Sequence, residues 1–431
     1  MKKNLIFIEL NEINFDLIKE YKKNYNFKFF DDDFFSKLSN TKSEDIYENI
    51  EPWIQWVSIH TGLTAQEHDI SRLGDIVDKN FEQIFEKIEK KGYEVGAICP
   101  MNTSNKLKNT KYFIPDPWIK NQISKNYFHN NIYKSFSEAV NNNSGNGISL
   151  KSKILILFSI FFFIRGKNLI KFIKLFFSSL KKKWFKALIF DYILHNIHIN
   201  FIKKYKANFS TIFFNAGAHI QHHYLNNSLI LSQEILNKNP EWYVKSGDDP
   251  ILDTYIFYDN ILNEYKNIKD YSILIATGLT QTLHKEITYY YRLKNYDNFF
   301  SLLKSNYKSI EGRMSRDLLV NFDSEHDCTI FTEKLEHINI INNKNIFEYD
   351  NRGKSLFVTL VYSKEVKKNF QLKIDETKNI NFFNYINFVA IKNGKHDQKG
   401  FLYGSVNFTK YLPENNSHVK SIFNSINTYF E

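Results

Sequence analysis

The sequence predicts an α/β fold in which a mostly parallel sheet is sandwiched by helices and carries an inserted helical cap. Short apolar runs end repeatedly on glycine or a polar residue, and segments with helical periodicity lie between them, as in a parallel sheet covered on both faces. The run from 105 to 205 interrupts this alternation, and 431 residues exceed the usual single core. The predicted boundaries are 1–104 for the first part of the α/β core, 105–205 for a basic helical cap, and 206–431 for the second part of the core.

Each element of the core follows from a local pattern. Predicted helices at 14–25, 53–62 and 80–93 have apolar residues at helical spacing, and Gly62 is expected to end the second. Ligands of such sheets bind beyond the carboxyl ends of the strands. The predicted strands are the apolar runs at 4–10, 94–100, 211–217, 271–278 and 387–394.

The inserted segment is both apolar and basic. Residues 154–164 are mostly apolar but too few to span a bilayer, which needs about 20 residues. From 169 to 180, lysines alternate with apolar residues at helical spacing, which fits either a helix on an anionic membrane surface or a cap packed over the core. Between 151 and 206 the chain has a single acidic residue, Asp191, and its formal net charge is +10. This excess favours an anionic partner such as lipid headgroups, a nucleotide sugar or a polyanionic glycan; nucleic acid is disfavoured because no recognisable module for it is present.

Other features narrow the class of protein. Cys99 and Cys328 are too few for a disulfide framework or a cysteine zinc site. The first apolar run has four residues, shorter than the core of a signal peptide, which predicts a cytoplasmic location, with peripheral contact at the inner membrane face through the cap. Neither a P-loop nor a dinucleotide-binding glycine motif is present in the sequence.

Polar side chains cluster at the predicted strand ends. His219 and His222 are three residues apart and share a face if their segment is helical. With His396 they would offer three nitrogen ligands to one zinc-like divalent metal, and Glu9 or Glu12 could add a carboxylate. The alternative is that these groups only hydrogen-bond to the backbone. The candidates for substrate binding at the strand ends are Glu9, Asn11, Glu12, Asn215, Gln281 and His284.

Five segments, in chain order, resemble motifs of the alkaline phosphatase superfamily, in particular of its type I phosphodiesterase/nucleotide pyrophosphatase branch. His222 and His396 match histidine ligands of that pattern. The resemblance implies an alkaline phosphatase-like core and phosphoryl chemistry assisted by two zinc-like metals. The segments are FIELNEINFDLI (7–18), WIQWVSIHTGLTAQEHDI (53–70), NAGAHIQHHYL (215–225), ILIATGLTQ (273–281) and GKHDQKGFLYG (394–404).

The chain departs from this pattern at the residues that would bind metal or attack the substrate. Asn11 and Ala218 stand where the superfamily has aspartates, and Pro52 stands where it has a Thr or Ser nucleophile. Thr277 and Gly278 stand in place of its Asp-His pair. Two-metal hydrolysis through a covalent intermediate is therefore not implied for this chain.

The leading hypothesis is a divergent cytoplasmic enzyme that hydrolyses or transfers a phosphoester or phosphodiester group. Its expected substrate is an anionic small molecule or glycan, such as a lipid-linked or nucleotide-activated precursor of a surface polysaccharide. Because Pro52 cannot attack, water or an acceptor hydroxyl would attack directly, with His219 or His222 as general base and Glu51 as the alternative base. Thr277 is grouped with them as a candidate catalytic residue.

Arg313 and Arg316 are further candidates for substrate binding, and a second class of function is also open. Arg313 and Arg316 could form a fork for a phosphate or carboxylate, or simply begin a solvated helix. The alternative function is that of a catalytically inactive protein that binds a glycan or nucleotide in an assembly, which the missing aspartates favour.

Overall fold

The computed structural model describes residues 3–119, 126–141, 148–231, 238–313, 316–338, 345–375 and 378–431. The strands are β1 (Leu5–Leu10), β2 (Leu38–Lys42), β3 (Val95–Ile98), β4 (Tyr112–Ile114), β5 (Phe209–Phe214), β6 (Ser272–Ala276), β7 (Thr280–Leu293), β8 (Ser309–Gly312), β9 (Asp317–Asn321), β10 (Phe347–Asn351), β11 (Ser355–Leu360), β12 (Gln371–Lys373), β13 (Asn379–Asn381), β14 (Ile386–Asp397), β15 (Lys399–Gly404) and β16 (Ser417–His418). The helices are α1 (Phe15–Lys22), α2 (Asp32–Ser36), α3 (Pro52–Thr61), α4 (Ala65–His68), α5 (Ile84–Lys90), α6 (Tyr127–Asn141), α7 (Leu150–Phe163), α8 (Lys167–Lys181), α9 (Phe185–Tyr205), α10 (Ala216–Tyr224), α11 (Pro250–Lys266), α12 (Tyr296–Phe300), α13 (Glu325–Glu336) and α14 (Ser421–Tyr429).

The largest sheet has, within the described ranges, eight strands in the order β16-β2-β15-β6-β1-β5-β3-β4. β1 lies between β5 and β6 and is parallel to both, with Leu10 opposite Phe214 and Glu9 opposite Ala276. β3 is parallel to β5 and β4, whereas β15 is antiparallel to β6 and β2. The prediction of an α/β fold with a mostly parallel sheet is confirmed.

Local sequence explains the elements that surround the site. β1 and β5 are buried along their whole lengths, as expected for central strands covered on both faces. α3 begins at Pro52, because a proline without an N–H is tolerated in the first turn of a helix. It ends before Gly62, whose φ of 74° lies in the left-handed region that favours glycine.

The segment predicted as a cap is mostly helical and packs against the large sheet. It also contributes one edge strand to that sheet, β4. α9 is mostly buried and packs against β5 and α10, while α7 and α8 lie against α9. Among the helices of the described ranges, none combines the length and apolar character needed to cross a bilayer.

Contacts divide the chain differently from the boundaries predicted from the sequence. One compact unit comprises 1–138, 149–283 and 394–431, so the helical cap belongs to the same unit as the large sheet. The other comprises 139–148 and 284–393, which the sequence-based boundaries did not separate.

The second unit has an antiparallel sheet in the order β10-β11-β9-β8 and a hydrophobic core of its own, in which Phe300, Phe331 and Val358 are fully buried. The run at 387–394, predicted to be a strand of the large sheet, lies instead in β14, which pairs with β7 in a separate two-stranded sheet. The prediction was wrong because a short apolar run has the same local pattern in either setting.

Candidate functional site

The turn after β1 brings polar groups from three strand ends together. The backbone N–H of Asn11 donates to the carbonyl of Phe214 at 3.1 Å, and that of Glu12 donates to the carbonyl of Thr277 at 3.0 Å. Glu12 has a φ of 59°, in a region that residues with a Cβ rarely adopt. This turn places the Glu12 side chain, only 2% exposed, at the carboxyl edge of the sheet.

Two amide side chains hold the Glu12 carboxylate. Asn11 Nδ2 donates to Oε1 at 3.0 Å, and Gln281 Nε2 donates to Oε2 at 2.5 Å. Asn11 is held in turn, because its Nδ2 also donates to Asn215 Oδ1 and its Oδ1 accepts from the indole of Trp56, both at 2.8 Å. The orientation of the carboxylate is therefore determined by the protein itself.

Two histidines from distant parts of the chain meet at the same carboxylate oxygen. Nε2 of His222, on α10, lies 3.0 Å from Glu12 Oε2, and Nε2 of His396, on β14, lies 3.3 Å from it. The two imidazole nitrogens are 3.2 Å apart. The side chains of His222 and His396 remain 27% and 14% exposed, so the group opens to solvent on the histidine side.

The spacing and chemistry of these atoms suit a metal ion. In a tetrahedral site with ligand distances of about 2.0–2.1 Å, neighbouring ligand atoms lie about 3.3–3.4 Å apart. Two imidazole nitrogens and one carboxylate oxygen are also a donor set of catalytic zinc sites, in which a fourth position is left for water or substrate. Glu12, His222 and His396 therefore form a possible site for a divalent metal.

The ionisation of Glu12 agrees with such a role. Burial alone would raise the pKa of its carboxyl group, but the charges of His396 and His222, and their hydrogen bonds to it, lower that pKa well below its ordinary value. The carboxyl group is therefore ionised at neutral pH, and the ionised form is the one that binds a metal.

Glu51 lies on the far side of the His396 ring. It immediately precedes α3, and its Oε2 is 3.4 Å from His396 Nδ1. A carboxylate at the second nitrogen of a metal-binding imidazole orients the ring and determines its tautomer. This position suits an orienting role for Glu51.

The structure places two other predicted catalytic residues outside this group of three ligand atoms. His219 is exposed on α10, and its ring centroid is 4.8 Å from that of His223. Thr277 is buried, and its hydroxyl accepts the backbone N–H of Phe401 at 2.9 Å. That hydrogen bond joins the end of β6 to β15, which is a structural contribution.

Glu9 belongs to a different buried cluster. Its Oε1 accepts the Thr211 hydroxyl at 2.6 Å and lies 3.2 Å from His60 Nε2. Glu9 is still within β1, whereas Glu12 lies in the turn after β1 and has the left-handed φ. Of the two glutamates that the sequence offered, Glu12 is the one that contacts the paired histidines.

The remaining predicted residues, His284, Arg313 and Arg316, belong to the second unit. The Arg313 guanidinium lies 3.4 Å from Glu311 Oε2, and the Arg316 guanidinium lies 4.4 Å from the centroid of the Tyr290 ring. The two arginines thus have different neighbours.

Sequence reasoning did not identify three residues that support the site. Asp191, on α9, accepts the N–H of Ala216 at 3.0 Å and the Tyr258 hydroxyl at 2.7 Å, and so positions the start of α10. Its isolation as the single acid of a basic stretch was a usable signal. Trp56 and Gln221, whose Nε2 donates to the Glu12 carbonyl at 2.6 Å, have no distinctive local pattern.

Comparisons with known proteins show overall structural similarity. A scan against protein-family models and a search of curated proteins give no match. Human ectonucleotide pyrophosphatase/phosphodiesterase 5 matches 98% of this chain and 93% of its own, at 11% identity and a TM-score of 0.40. Phosphonoacetate hydrolase from Sinorhizobium meliloti, in complex with phosphonoformate, matches 100% of this chain and 96% of its own, at 9% identity and a TM-score of 0.43. Alkaline phosphatase from the Antarctic bacterium TAB5 matches 100% of this chain and 98% of its own, at 9% identity and a TM-score of 0.35.

These structures are members of the alkaline phosphatase superfamily, the family that the sequence motifs resemble. At TM-scores below 0.5 the similarity carries no information about the activity of this chain, which depends on the side chains at its own site.

Proposed function

We propose that this protein is a metal-dependent enzyme that hydrolyses or transfers a phosphoester or phosphodiester group. The observation that supports this most strongly is the convergence of Glu12, His222 and His396 at the carboxyl edge of the sheet, where α/β proteins bind their ligands. These three residues would hold one zinc-like divalent cation. Such a cation supplies polarisation of a phosphoryl oxygen and activation of a bound water or hydroxyl.

The residues around this point suggest how the reaction begins. Pro52 begins α3 and has no nucleophilic atom, so water or an acceptor hydroxyl attacks directly. His219 lies on the same helix as His222, outside the Glu12 group and open to solvent, and is the candidate general base. Glu51 is a positioning residue that acts through His396.

An anionic substrate fits the charge of this site. One carboxylate and two neutral imidazoles around a divalent cation leave a net positive charge, which attracts a phosphate group. The basic, apolar cap supports a lipid-linked or nucleotide-activated glycan precursor as the substrate, in a cytoplasmic location.

A second candidate function is binding without catalysis. It is favoured by Pro52 at the start of α3, and by Asn11 and Ala218 at positions where the resembling superfamily has metal-binding aspartates. In that case the same three ligand atoms would hold a cation, and the cation would bind a phosphate group of a glycan or nucleotide within an assembly.

Metal analysis and turnover assays on the full chain distinguish the two functions. The purified protein would be treated with chelator, reloaded with Zn²⁺, Mn²⁺ or Mg²⁺, and assayed with bis-p-nitrophenyl phosphate, p-nitrophenyl phosphate and a uridine diphosphate sugar. We expect about one bound cation per chain, and turnover that is abolished by His222→Ala. His326→Ala, at an exposed histidine of the second unit, is the control and should change neither the number of bound cations nor the turnover.

The possible outcomes separate the hypotheses. Cation binding that depends on His222, without turnover of any of these substrates, would favour the binding function. Turnover that His222→Ala leaves unchanged would refute the proposed site.

A further inference from the structure

Two neighbouring helices of the cap expose an unusual amount of apolar surface. Among the described residues, half of the large hydrophobic side chains that are exposed lie on α7 and α8. The most exposed include Leu150 at 74%, Phe161 at 68%, Leu180 at 67% and Phe177 at 62%. The others on these helices are Ile154, Leu157, Phe158, Phe162, Ile170, Ile173 and Phe176. We call these eleven side chains the α7–α8 surface.

This surface is the outer side of a two-layer arrangement. α9 lies beneath α7 and α8, and is buried along most of its length against β5 and α10. On α8, by contrast, Ser179 is the one buried side chain among the described residues of that helix. A helix that only covers a core turns its apolar stripe inward. Here the apolar stripe of α8 faces outward, and α7, which is apolar on most sides, buries Ile160 and Phe163 but leaves six large apolar side chains exposed.

Cations surround the α7–α8 surface. The chain has no acidic residue between 139 and 190. Two lysines of this stretch pair with acids of α11 or its N-terminal flank: Lys171 with Glu264, and Lys182 with Asp248 and Asp253. The exposed cations that remain are Lys151, Lys153, Arg165, Lys167, Lys174, Lys181, Lys183 and Lys186.

We propose that the α7–α8 surface docks on an anionic phospholipid membrane. The exposed phenylalanines and leucines enter the boundary between headgroups and acyl chains, and the flanking lysines contact the lipid phosphates. α7 and α8 have 14 and 15 residues, or about 21–23 Å, shorter than a hydrocarbon core of about 30 Å. They lie on the bilayer and do not cross it.

Charge also argues against a second copy of the chain as the occupant. A two-fold contact places the same patch of both subunits face to face. Two α7–α8 surfaces in contact would bring their exposed lysines together, and α7 and α8 themselves carry no acid to pair with them. An anionic lipid surface supplies the complementary charge, and its acyl chains supply the apolar phase.

The test uses the full chain and vesicles of defined composition. Co-sedimentation would be measured with phosphatidylcholine vesicles, and with vesicles containing about 30% phosphatidylglycerol, at low and high salt. We expect binding to the anionic vesicles that falls at least tenfold in high salt and is weak on the neutral vesicles. The double variant Phe161→Ser/Phe177→Ser should bind the anionic vesicles at least tenfold more weakly than the wild type.

Val406→Ser, at a 70% exposed apolar residue of the same unit, is the matched control and should bind like the wild type. Thermal unfolding of each variant shows whether it is folded, and because the substituted side chains are exposed, the melting temperatures should be unchanged. Lys174→Glu/Lys181→Glu tests the charge independently and should weaken binding to the anionic vesicles alone.

Three results would overturn the proposal. They are equal binding to neutral and anionic vesicles, no binding to either, and wild-type binding by the folded phenylalanine variant. Sedimentation velocity addresses the second-copy alternative: a dimer that Phe161→Ser/Phe177→Ser dissociates would assign the surface to self-association.

Discussion

Glu12→Gln tests the candidate site most directly, because it removes the charge of the carboxylate and keeps nearly the same size. In the wild type, Asn11 and Gln281 donate to the two carboxylate oxygens, and His222 and His396 contact Oε2. The glutamine side chain has an NH₂ group in place of one carboxylate oxygen. The side chain that donated to that oxygen in the wild type therefore faces another donor and loses its acceptor. The variant therefore disrupts a buried group of contacts without creating a cavity.

The size of the effect follows from burial. Removing one partner of a buried charged pair typically destabilises a protein by about 3–5 kcal/mol. Glu12 is 2% exposed, but His222 and His396 are 27% and 14% exposed, so solvent screens part of the interaction. We expect the free energy of unfolding of the metal-free protein to fall by about 3 kcal/mol at pH 6, the low end of that range.

The sign of the pH dependence follows from the lowered pKa of Glu12. The ionised carboxylate contributes stability above the ordinary glutamate pKa of about 4.3, and this contribution is lost as the pH falls towards the lower folded-state value. The difference between the wild type and Glu12→Gln should therefore be full at pH 6 and should narrow below about pH 4.

Urea unfolding followed by tryptophan fluorescence is a suitable assay, because all five tryptophans belong to the unit that contains the site. Zn²⁺ at about one hundred times its dissociation constant should stabilise the wild type by about 2.7 kcal/mol. It should stabilise Glu12→Gln far less, because one of three ligands is lost.

Glu51→Gln is the comparison variant, since Glu51 lies at Nδ1 of His396, whereas Glu12 lies at Nε2 of the same ring. It should weaken Zn²⁺ binding about 10–100-fold and change the stability of the metal-free protein by less than about 1 kcal/mol. If Glu12→Gln were as stable as the wild type and bound Zn²⁺ equally well, the reasoning about this site would be wrong.

Three further substitutions separate the roles of neighbouring groups. Burial raises the pKa of Asp191 to about 7. The free energy of unfolding of the wild type should therefore fall by up to about 4 kcal/mol as the pH rises from about 4 to above 7. In urea unfolding, Asp191→Asn should be as stable as the wild type at pH 4.5 and more stable than the wild type at pH 8. Gly394→Ala would place a Cβ 2.1 Å from Gln281 Oε1; calorimetric titration should show weaker Zn²⁺ binding, by about 10–100-fold, because Gln281 no longer holds Glu12. Thr277→Val leaves the N–H of Phe401 without an acceptor and should cost about 1–3 kcal/mol of stability without changing Zn²⁺ affinity; a loss of affinity at constant stability would restore Thr277 as a candidate catalytic residue.

Short-range patterns were sufficient to predict the strands and helices around the site. The run at 4–10 contains β1, the run at 211–217 begins within β5, and the helix predicted at 53–62 is α3, ended by Gly62. Each of these depends on periodicity, capping or glycine within a few residues. The mostly parallel sheet follows from their alternation.

Contacts between distant residues could not be predicted in the same way. His222 and His396 are 174 residues apart, and they meet at Glu12. The sequence alone did not favour Glu12 over Glu9 as the carboxylate of the site. Glu9, within β1, contacts Thr211 and His60, whereas Glu12 reaches the histidines because it lies in the turn after β1 and has a left-handed φ. The backbone N–H groups of that turn donate to the carbonyls of Phe214, in β5, and of Thr277, directly after β6.

The packing of the cap could not be predicted from local patterns either. Lysines and apolar residues at helical spacing identified α8 as amphipathic, but the spacing is the same whether the apolar side faces a core or the solvent. The second unit is a further case, since its separate core brings together residues that are far apart in the chain, such as Phe300, Phe331 and Val358. Composition and periodicity predicted the elements around the site and the donor groups that are available there. Packing determined which donors share one point and which apolar faces remain uncovered, because those depend on residues that are far apart in the chain.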